Sequence, residues 1–359
     1  LREPGFEYKE DITTGAAAAA RGGFTSVACM PNTRPVLDTP EQIEYVLRRA
    51  GESCGVRVWP IGAVSRGQKG QSLTDAAALQ EAGCVALSDD GVPVQDANLL
   101  RDATTHCEDA DMVRNYAVNE GRVSRALGLP GRPAIAEEIM VMRDAMLAEE
   151  TGAAVHICHV STAGSVEIIR QFKKKGVAIT CETCPQYFTL TEDKVLEQGS
   201  LARVNPPLRT KLDVEAILEG LRDGTIDVIA TDHAPHSVEE KAKPLAEAPS
   251  GMVGLETALG VTLTALYHTG FMDLSDILKK MTFHPACILR IPKGRLSLGG
   301  EADFTIFSPD EEWTVEPDQF ASKGRNTPFK GRKLKGRVKY TIVGGRVVYG
   351  DEGGRADVV

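Results

Sequence analysis

IDVIATDHAPH, residues 226–236, contains an apolar, β-branched run that predicts a buried strand, and the run ends directly on Asp232. His233 and His236 follow in a turn that contains a proline. Six similar runs precede it, at residues 25–30, 56–64, 84–90, 104–108, 153–160 and 177–184. Amphipathic helical patterns separate most of them, and the clearest are at residues 40–50, 165–176 and 210–221. Strands that alternate with helices form parallel sheets, so the sequence predicts an α/β fold.

Polar residues with metal-ligating side chains recur where four of these strands end. They are Asp90, His106, His159 and Asp232. In a (β/α)8 TIM-type barrel the carboxyl ends of all strands meet around one mouth, where active sites lie. This convergence favours a barrel over a doubly wound sheet. Seven strands are visible, and we expect an eighth strand, ending just before Leu1, to close the barrel.

The pattern changes beyond residue 296. GEADFTIFSP (300–309) and YTIVGGRVVYGD (340–351) predict short antiparallel strands joined by turns. We therefore expect two domains. A metal-dependent barrel would occupy residues 1–296, and a small β-sandwich-like domain, formed by the chain termini, would occupy residues 297–359.

Two places in the sequence indicate absent residues. Leu1 is not a methionine and begins a polar, turn-like segment, so we expect further residues upstream of it. Only 13 residues lie between Asp90 and Thr104. Because a crossover between parallel strands needs a dozen or more residues and loops on both sides, we expect about ten more residues near positions 103–104.

Composition and charge exclude several classes of protein. Apolar residues make up 42% and charged residues 25% of the chain, values typical of a globular protein with a sizeable core. A net charge of −9 and a pI near 5.4 argue against binding to nucleic acid or an anionic membrane. No apolar run approaches the roughly 18 residues of a transmembrane helix. The eight cysteines are scattered, which argues against a disulfide framework and predicts a reducing, cytoplasmic location.

The HICHVS segment contains two histidines, His156 and His159. Their odd spacing along a strand places them on opposite faces, so only one should face the barrel interior. His159 lies nearer the strand end and is the better ligand candidate, whereas we expect His156 to be a packed, hydrogen-bonded histidine. Two histidines, Asp232 and one acid of the Asp89–Asp90 pair form an N/O ligand set that suits Zn²⁺, with Mn²⁺ or Co²⁺ as alternatives. The structural alternative is four unrelated polar strand ends.

Candidate anion-binding residues follow other strand ends. Arg2 in LREPG and Asn32 in MPNT lie at such positions, and Asn205 and Arg209 lie in NPPLR. A guanidinium group can hold a carboxylate through two hydrogen bonds, which makes an anionic substrate plausible. Taken singly, each of these residues is as well explained by a solvated surface.

Several motifs together identify a family resemblance. They occur in the order LREPGFEYKEDI, MPNT, SDDG, HCED, HICHVST, NPPLR and TDHAPH. This combination spans nearly the whole chain and closely resembles the dihydroorotases of the amidohydrolase superfamily. In that family a His-x-His pair, both members of which ligate metal, directly precedes LREPG. The resemblance therefore implies such a pair upstream of Leu1, and these 359 residues do not contain it.

The resemblance also implies a metal site. His106 and His159 would ligate one zinc ion, the upstream pair and Asp232 the other, and Asp90 would bridge them, with Asp89 left open as the alternative bridge. Hydantoinases and allantoinases have a carboxylated lysine in the bridging position, so an aspartate there favours the bacterial dihydroorotase type. The implied substrate-binding residues are Arg2, Asn32, Asn205, His236, Ser250 and Gly251.

The implied reaction is the reversible cyclisation of N-carbamoyl-L-aspartate to L-dihydroorotate in pyrimidine biosynthesis. A zinc-activated hydroxide would attack the ring carbonyl, with Asp232 as general base and then acid. One or two Zn²⁺ per subunit and a homodimer are expected, and aspartate transcarbamoylase is a candidate partner. The alternatives are another cyclic-ureide hydrolase, such as a hydantoinase or allantoinase, and a catalytically inactive barrel that serves as a partner of aspartate transcarbamoylase.

Overall fold

The structure, a computed structural model, describes residues 1–53, 55–90, 103–105, 107–113 and 116–351. The strands are β1 (Ser26–Cys29), β2 (Arg57–Gly62), β3 (Ala86–Ser88), β4 (Ala103–Thr105), β5 (Val118–Asn119), β6 (Gly131–Arg132), β7 (Val155–Ile157), β8 (Ile179–Thr183), β9 (Val228–Ile229), β10 (Phe304–Thr314), β11 (Lys333–Val343) and β12 (Arg346–Gly350). The α-helices are α1 (Ile12–Arg21), α2 (Pro40–Ser53), α3 (Ala76–Glu81), α4 (Ala110–Val113), α5 (Arg122–Leu127), α6 (Ile135–Thr151), α7 (Ala163–Lys174), α8 (Pro185–Thr189), α9 (Asp193–Gln198), α10 (Lys211–Asp223), α11 (Val238–Lys241), α12 (Ala258–Thr262), α13 (Leu274–Met281) and α14 (Phe283–Ile288).

The main sheet is parallel and follows the order of the chain. Its strands are arranged as β1, β2, β3, β4, β7, β8 and β9, and every neighbouring pair is parallel. Each of the seven predicted strand segments overlaps one of these strands, which confirms that prediction. Among the described residues β1 and β9 are the outer strands, so the closing strand expected before Leu1 stays a prediction.

The predicted helices form for local reasons that α7 illustrates. The Thr162 side chain caps its first turn by accepting a hydrogen bond from the Ser165 amide at 3.2 Å. Val166, Ile169 and Phe172 lie on one face of this helix and are buried. The three helices predicted from amphipathic patterns are present as α2, α7 and α10.

The largest hydrophobic core lies between the second half of the parallel sheet and the helices that cover it. Ile157 of β7 and Cys181 of β8 pack in the same cluster as Ile169 of α7 and Ile217 of α10, and all four are fully buried. Val338 of β11 belongs to this cluster too. The C-terminal sheet therefore packs directly against the helical layer.

The C-terminal region forms the antiparallel strands that the sequence predicts. β10 pairs with β11 and β11 with β12, giving a three-stranded sheet. Within the described part of this region there is one sheet, and no second sheet faces it as in a sandwich. The domain boundary between residues 296 and 297 stays a prediction. Residues 315–332, between β10 and β11, leave the sheet and reach both the loop that follows β9 and Glu10, in the segment before α1.

Some features have no counterpart in the sequence patterns. β5 and β6 form a separate parallel pair, Val118 opposite Gly131, too short to produce a periodic pattern. The segment between Asp90 and Ala103, where we expected absent residues, lies outside the described residues. No helix in the described ranges combines the length and the apolar composition needed to cross a membrane. No disulfide joins any two of the seven cysteines in the described ranges.

Helix α10 offers a matched test of the core. Ile217→Ala removes a side chain with 0% exposure and should lower the free energy of unfolding by about 2–5 kcal/mol. Leu212→Ala changes a residue of the same helix that is 73% exposed, and should shift it by no more than about 0.5 kcal/mol. Urea denaturation of both variants gives the comparison. Equal losses would contradict the assignment of Ile217 to the core.

Candidate active site

A cavity of about 780 Å³ is lined by both outer strands, β1 and β9, and by residues that follow several strands of the parallel sheet. Half of the predicted site residues contribute to its wall. These are Arg2, Asn32, Asp90, His159 and Asp232. Although they are far apart in the sequence, the parallel sheet brings them to one cavity.

Two of the predicted metal ligands, Asp90 and His159, are neighbours in this cavity. His159 Nε2 lies 3.8 Å from Asp90 Oδ1, and Asn32 Nδ2 donates a hydrogen bond to Asp90 Oδ2 at 2.9 Å. His159 and Asp232 both have positive φ angles, 37° and 44°, which non-glycine residues seldom adopt. Each follows a strand, β7 or β9, so the backbone turns sharply where the functional side chain is presented. Such conformations cluster at functional sites.

The structure distinguishes the two acids of the SDDG segment. Asp89 is buried, and its carboxylate accepts hydrogen bonds from the Val64 amide at 2.9 Å and from the Ser65 amide at 3.2 Å, as well as from the Ser65 hydroxyl. Those bonds tie β3 to the segment after β2. Asp90, in contrast, lines the cavity. Asp90 is therefore the acid that is placed to act at the site.

The charges in the cavity interact strongly because they are buried. Burial, together with the charges of Asp90 and Glu182, raises the pKa of Asp232 to about 7, although the charges of His159 and Arg2 oppose the shift. Burial disfavours the charged form of His159, but the nearby carboxylates of Asp90 and Asp232 raise its pKa to about 9. Both shifts have one origin, which is an excess of carboxylates in a place of low polarity.

Such a cluster favours a bound cation, and its imidazole and carboxylate donors are those that Zn²⁺ prefers. No group of three or more histidines, cysteines or acids in the described ranges is assembled to hold a metal. His106, which we predicted as a further ligand, lies outside the described residues. The described residues thus supply the Asp90–His159 pair and Asp232 as a partial donor set that fits zinc.

His156 and His159 both line the cavity, so the prediction that only one of them faces the interior is wrong. The prediction assumed that the strand continues to His159, whereas β7 ends at Ile157 and the backbone has turned by position 159. His156 is nevertheless hydrogen-bonded, as expected. Its ring nitrogens lie 2.8 Å from Thr180 Oγ1 and 3.3 Å from Glu182 Oε2, on the neighbouring strand β8.

His233 anchors the turn that carries Asp232. Its Nδ1 accepts hydrogen bonds from the amides of Gly254 and Leu255 at 3.1 and 3.3 Å, so its Nε2 carries the proton that it donates to Glu10 Oε2 at 3.1 Å. Glu10 also accepts from the Lys323 amide at 3.1 Å. Glu10 was missed by sequence reasoning, because nothing local in EYKED indicates a partner more than 200 residues away.

His236 forms a second group next to the cavity, together with Ser250 and Gly251. Its Nε2 lies 2.8 Å from the Ser250 carbonyl oxygen, and its Nδ1 lies 3.4 Å from Lys9 Nζ. Burial and the nearby charges of Arg2 and Lys9 lower the pKa of His236 to about 3, so the ring is neutral. Arg2 is near both groups, and its Nε is a buried donor without a hydrogen-bond partner among the described residues.

Asn205 does not line this cavity. Its amide nitrogen donates to Glu108 Oε2 at 3.2 Å, and its oxygen accepts from Arg132, which also binds Glu108. Arg209, an anion candidate from the same NPPLR segment, is buried and donates to Ser161 Oγ at 3.1 Å. Arg209 therefore supports the turn after β7, whereas Asn205 belongs to a polar group with Glu108 and Arg132.

Comparison with known proteins identifies the family. The family model described as Dihydro-orotase-like matches residues 1–165. A curated relative named Dihydroorotase, from Pelotomaculum thermopropionicum, is 54% identical over 98% of this chain and 84% of its own length. The chain belongs to the dihydroorotase family. Another dihydroorotase, from Acetivibrio thermocellus, is 51% identical over 97% of the chain and 84% of its own length.

Solved structures confirm the fold. An L-hydantoinase (dihydropyrimidinase) from Arthrobacter aurescens superposes with a TM-score of 0.84 and 26% identity, over 95% of this chain and 80% of that one. A D-hydantoinase gives the same TM-score with 22% identity, over 98% of this chain and 82% of that one. The predicted α/β barrel with a small β domain and the predicted family are thus confirmed. The chain is a cyclic amidohydrolase, and dihydroorotases and hydantoinases are generally metal-dependent.

The two adjacent acids provide a discriminating test. Asp89→Asn replaces one of the two carboxylate oxygens that accept hydrogen bonds from Val64 and Ser65 by an NH2 donor, and should lower the free energy of unfolding by about 1–3 kcal/mol. Asp90→Asn keeps the shape of a side chain that is 19% exposed at the cavity wall, so its melting temperature should stay close to that of the parent while bound metal and activity fall. Thermal denaturation and metal analysis of the intact protein measure both effects. The opposite pattern would show that Asp89 is the site acid.

Proposed function

We propose that this protein is a dihydroorotase, which reversibly cyclises N-carbamoyl-L-aspartate to L-dihydroorotate in pyrimidine biosynthesis. The observation that carries the proposal is one cavity wall that holds Arg2 and Asn32 beside Asp90, His159 and Asp232. This wall combines hydrogen-bond donors that can bind a carboxylate with side chains that can ligate a metal ion and accept a proton. The 54% and 51% identical relatives that bear this name support the same reaction.

The proposed cofactor is Zn²⁺, one or two ions per subunit. Asp90, His159 and Asp232 would hold it together with His106 and a His-x-His pair upstream of Leu1. Bound zinc supplies an activated water, with a pKa of about 7, and polarises the carbonyl under attack. An eighth strand that carries the pair would lie between β1 and β9. These are the two outer strands among the described residues, and both line the cavity.

The substrate is held by its carboxylate and its ring. Arg2 offers a buried Nε donor, and a charge-assisted hydrogen bond from it would fix the carboxylate. Asn32 lies beside Asp90 and adds an amide donor on the same side. A local cation is needed because the net charge of −9 repels a dianionic substrate. His236, the backbone at Ser250–Gly251 and Asn205 are the proposed ring contacts.

Asp232 is the proposed proton carrier. In hydrolysis its carboxylate takes a proton from the attacking water as the new C–O bond forms. It then gives that proton to the ring nitrogen as the C–N bond breaks, and ring closure follows the same steps in reverse. The hydrogen bonds between His233, Glu10 and the backbone at 254–255 hold the turn in which Asp232 sits.

The remaining proposals concern the setting of the enzyme. We expect a cytoplasmic homodimer, with aspartate transcarbamoylase as a candidate partner, and a barrel domain of residues 1–296 followed by a β domain of residues 297–359. The second candidate function is hydrolysis of another cyclic ureide, favoured by the superposition on the L-hydantoinase. An inactive barrel that only binds a partner is the third, and absence of turnover in the intact holoenzyme would support it.

Substrate choice tests the function directly. The intact zinc-loaded enzyme should turn over L-dihydroorotate, which has a carboxylate, far better than hydantoin or allantoin, which lack one. Arg2→Gln should lower kcat/KM for dihydroorotate by roughly 10- to 100-fold, the loss of one charge-assisted hydrogen bond. Arg48→Gln, at an exposed position of α2, is the control and should have no effect. Preference for hydantoin or allantoin would replace the proposal with the second candidate.

Asp232→Asn tests the proton carrier. The amide keeps the shape of the side chain but cannot accept the proton, so kcat should fall by roughly 10²–10⁴-fold. Steady-state kinetics with dihydroorotate, paired with metal analysis, separates the roles of Asp232. A variant that keeps both its metal and its kcat would refute the assignment.

A further inference from the structure

The turn at Ser250–Gly251 is packed too tightly to hold a side chain at position 251. Gly251 has a φ of 132°, which disfavours any residue with a Cβ. A Cβ there would lie 2.6 Å from Ala234 Cβ and 3.1 Å from His236 Nε2. The backbone of this turn therefore lies directly against the segment that carries His236.

Two buried side chains grip the carbonyl group of Gly251. Asn326 Nδ2 and Lys241 Nζ each donate a hydrogen bond to it at 3.0 Å. Lys241 Nζ also donates to the Pro249 carbonyl at 2.9 Å, while the Gly251 amide donates to the Arg203 carbonyl at 2.9 Å. Both sides of the turn are thus tied down by partners outside it.

Asn326 binds the other side of the site with the same amide group. Its Oδ1 accepts from the His236 amide at 3.1 Å, and its Nδ2 donates to the Ala234 carbonyl at 3.0 Å. With 2% exposure it has no access to solvent. One side chain from the segment between β10 and β11 therefore joins the Ala234–His236 segment to Gly251.

We propose that Asn326 and Lys241 are positioning residues that hold the Gly251 turn against His236, so that the surface contacting the substrate ring is formed before the substrate arrives. Neither residue touches the substrate. The inference rests on the proposed function, in which His236 and the 250–251 backbone contact the ring. When the loop is already ordered, substrate binding does not have to supply the free energy of ordering it. Loss of the hydrogen bonds from Asn326 and Lys241 should therefore weaken substrate binding more than it slows the chemical step.

Asn326→Asp in the intact zinc enzyme is the central test. The carboxylate still accepts from the His236 amide but turns an acceptor oxygen towards the carbonyls of Ala234 and Gly251. KM for dihydroorotate should rise about tenfold with kcat changed less than threefold. Hydrogen–deuterium exchange in a peptide covering residues 246–253 should become faster. Zinc content should stay unchanged.

Thr327→Val is the matched control, because Thr327 is equally buried and adjacent but its hydroxyl accepts from the Phe329 amide. It should lower the melting temperature without changing KM or the exchange of residues 246–253. If Asn326→Asp does not fold, Lys241→Met replaces it, with the exposed Lys243→Met as its control. The same rise in KM and in exchange is expected from Lys241→Met alone.

Two outcomes overturn the inference. One is an unchanged KM in a folded Asn326→Asp or Lys241→Met variant, and the other is an equal rise in KM or exchange in the control. Failure of the proposed function would look different. In that case the parent enzyme would not turn over dihydroorotate at all. Unchanged hydrogen–deuterium exchange of residues 246–253 in the variants would separately show that Asn326 and Lys241 do not hold the Gly251 turn in place.

Discussion

The concentration of negative charge at one buried place is the constraint on which the rest of the site depends. Asp90 and Asp232 lie close enough for each charge to affect the other, and Glu182 adds a third carboxylate. Burying like charges is costly unless cations or hydrogen bonds compensate for them. His159, at 3.8 Å from Asp90, and the guanidinium of Arg2 provide part of that compensation. The parallel sheet makes the concentration unavoidable, since its strand ends bring these residues together.

The segment that carries Arg2 is fixed from two sides, which explains how this cation can be held in a buried position. Glu3 accepts hydrogen bonds from Tyr45 at 2.8 Å and from Arg49 at 2.9 Å, both on α2. Glu10, at the other end of the segment, binds His233 beside Asp232. The supports of the proposed carboxylate-binding residue, Arg2, and of the proposed proton carrier, Asp232, are therefore provided by one segment, residues 3–10.

Features with a local signal could be predicted from the sequence, and features made by distant partners could not. The seven strands, helices α2, α7 and α10 and the residues Asp90, His159 and Asp232 follow from periodicity and from polar strand ends. Asp89 and Asp90 could not be told apart, because only their partners, Val64 and Ser65 for Asp89, separate them. Glu10 and Asn326 were missed for the same reason. The prediction that His156 and His159 point to opposite faces was wrong, because side chains stop alternating between the two faces where the strand ends and the backbone turns.

The contribution of residues 322–326 to the loops after β9 has a consequence for synthesis on the ribosome. The parallel strands β1 to β9 are complete once residue 229 has been made, so the scaffold can begin to fold while translation continues. Ser322 and Asn326 follow about a hundred codons later, and part of the chain is then still inside the exit tunnel. The loops after β9 can therefore take their final form only after this late segment has been made.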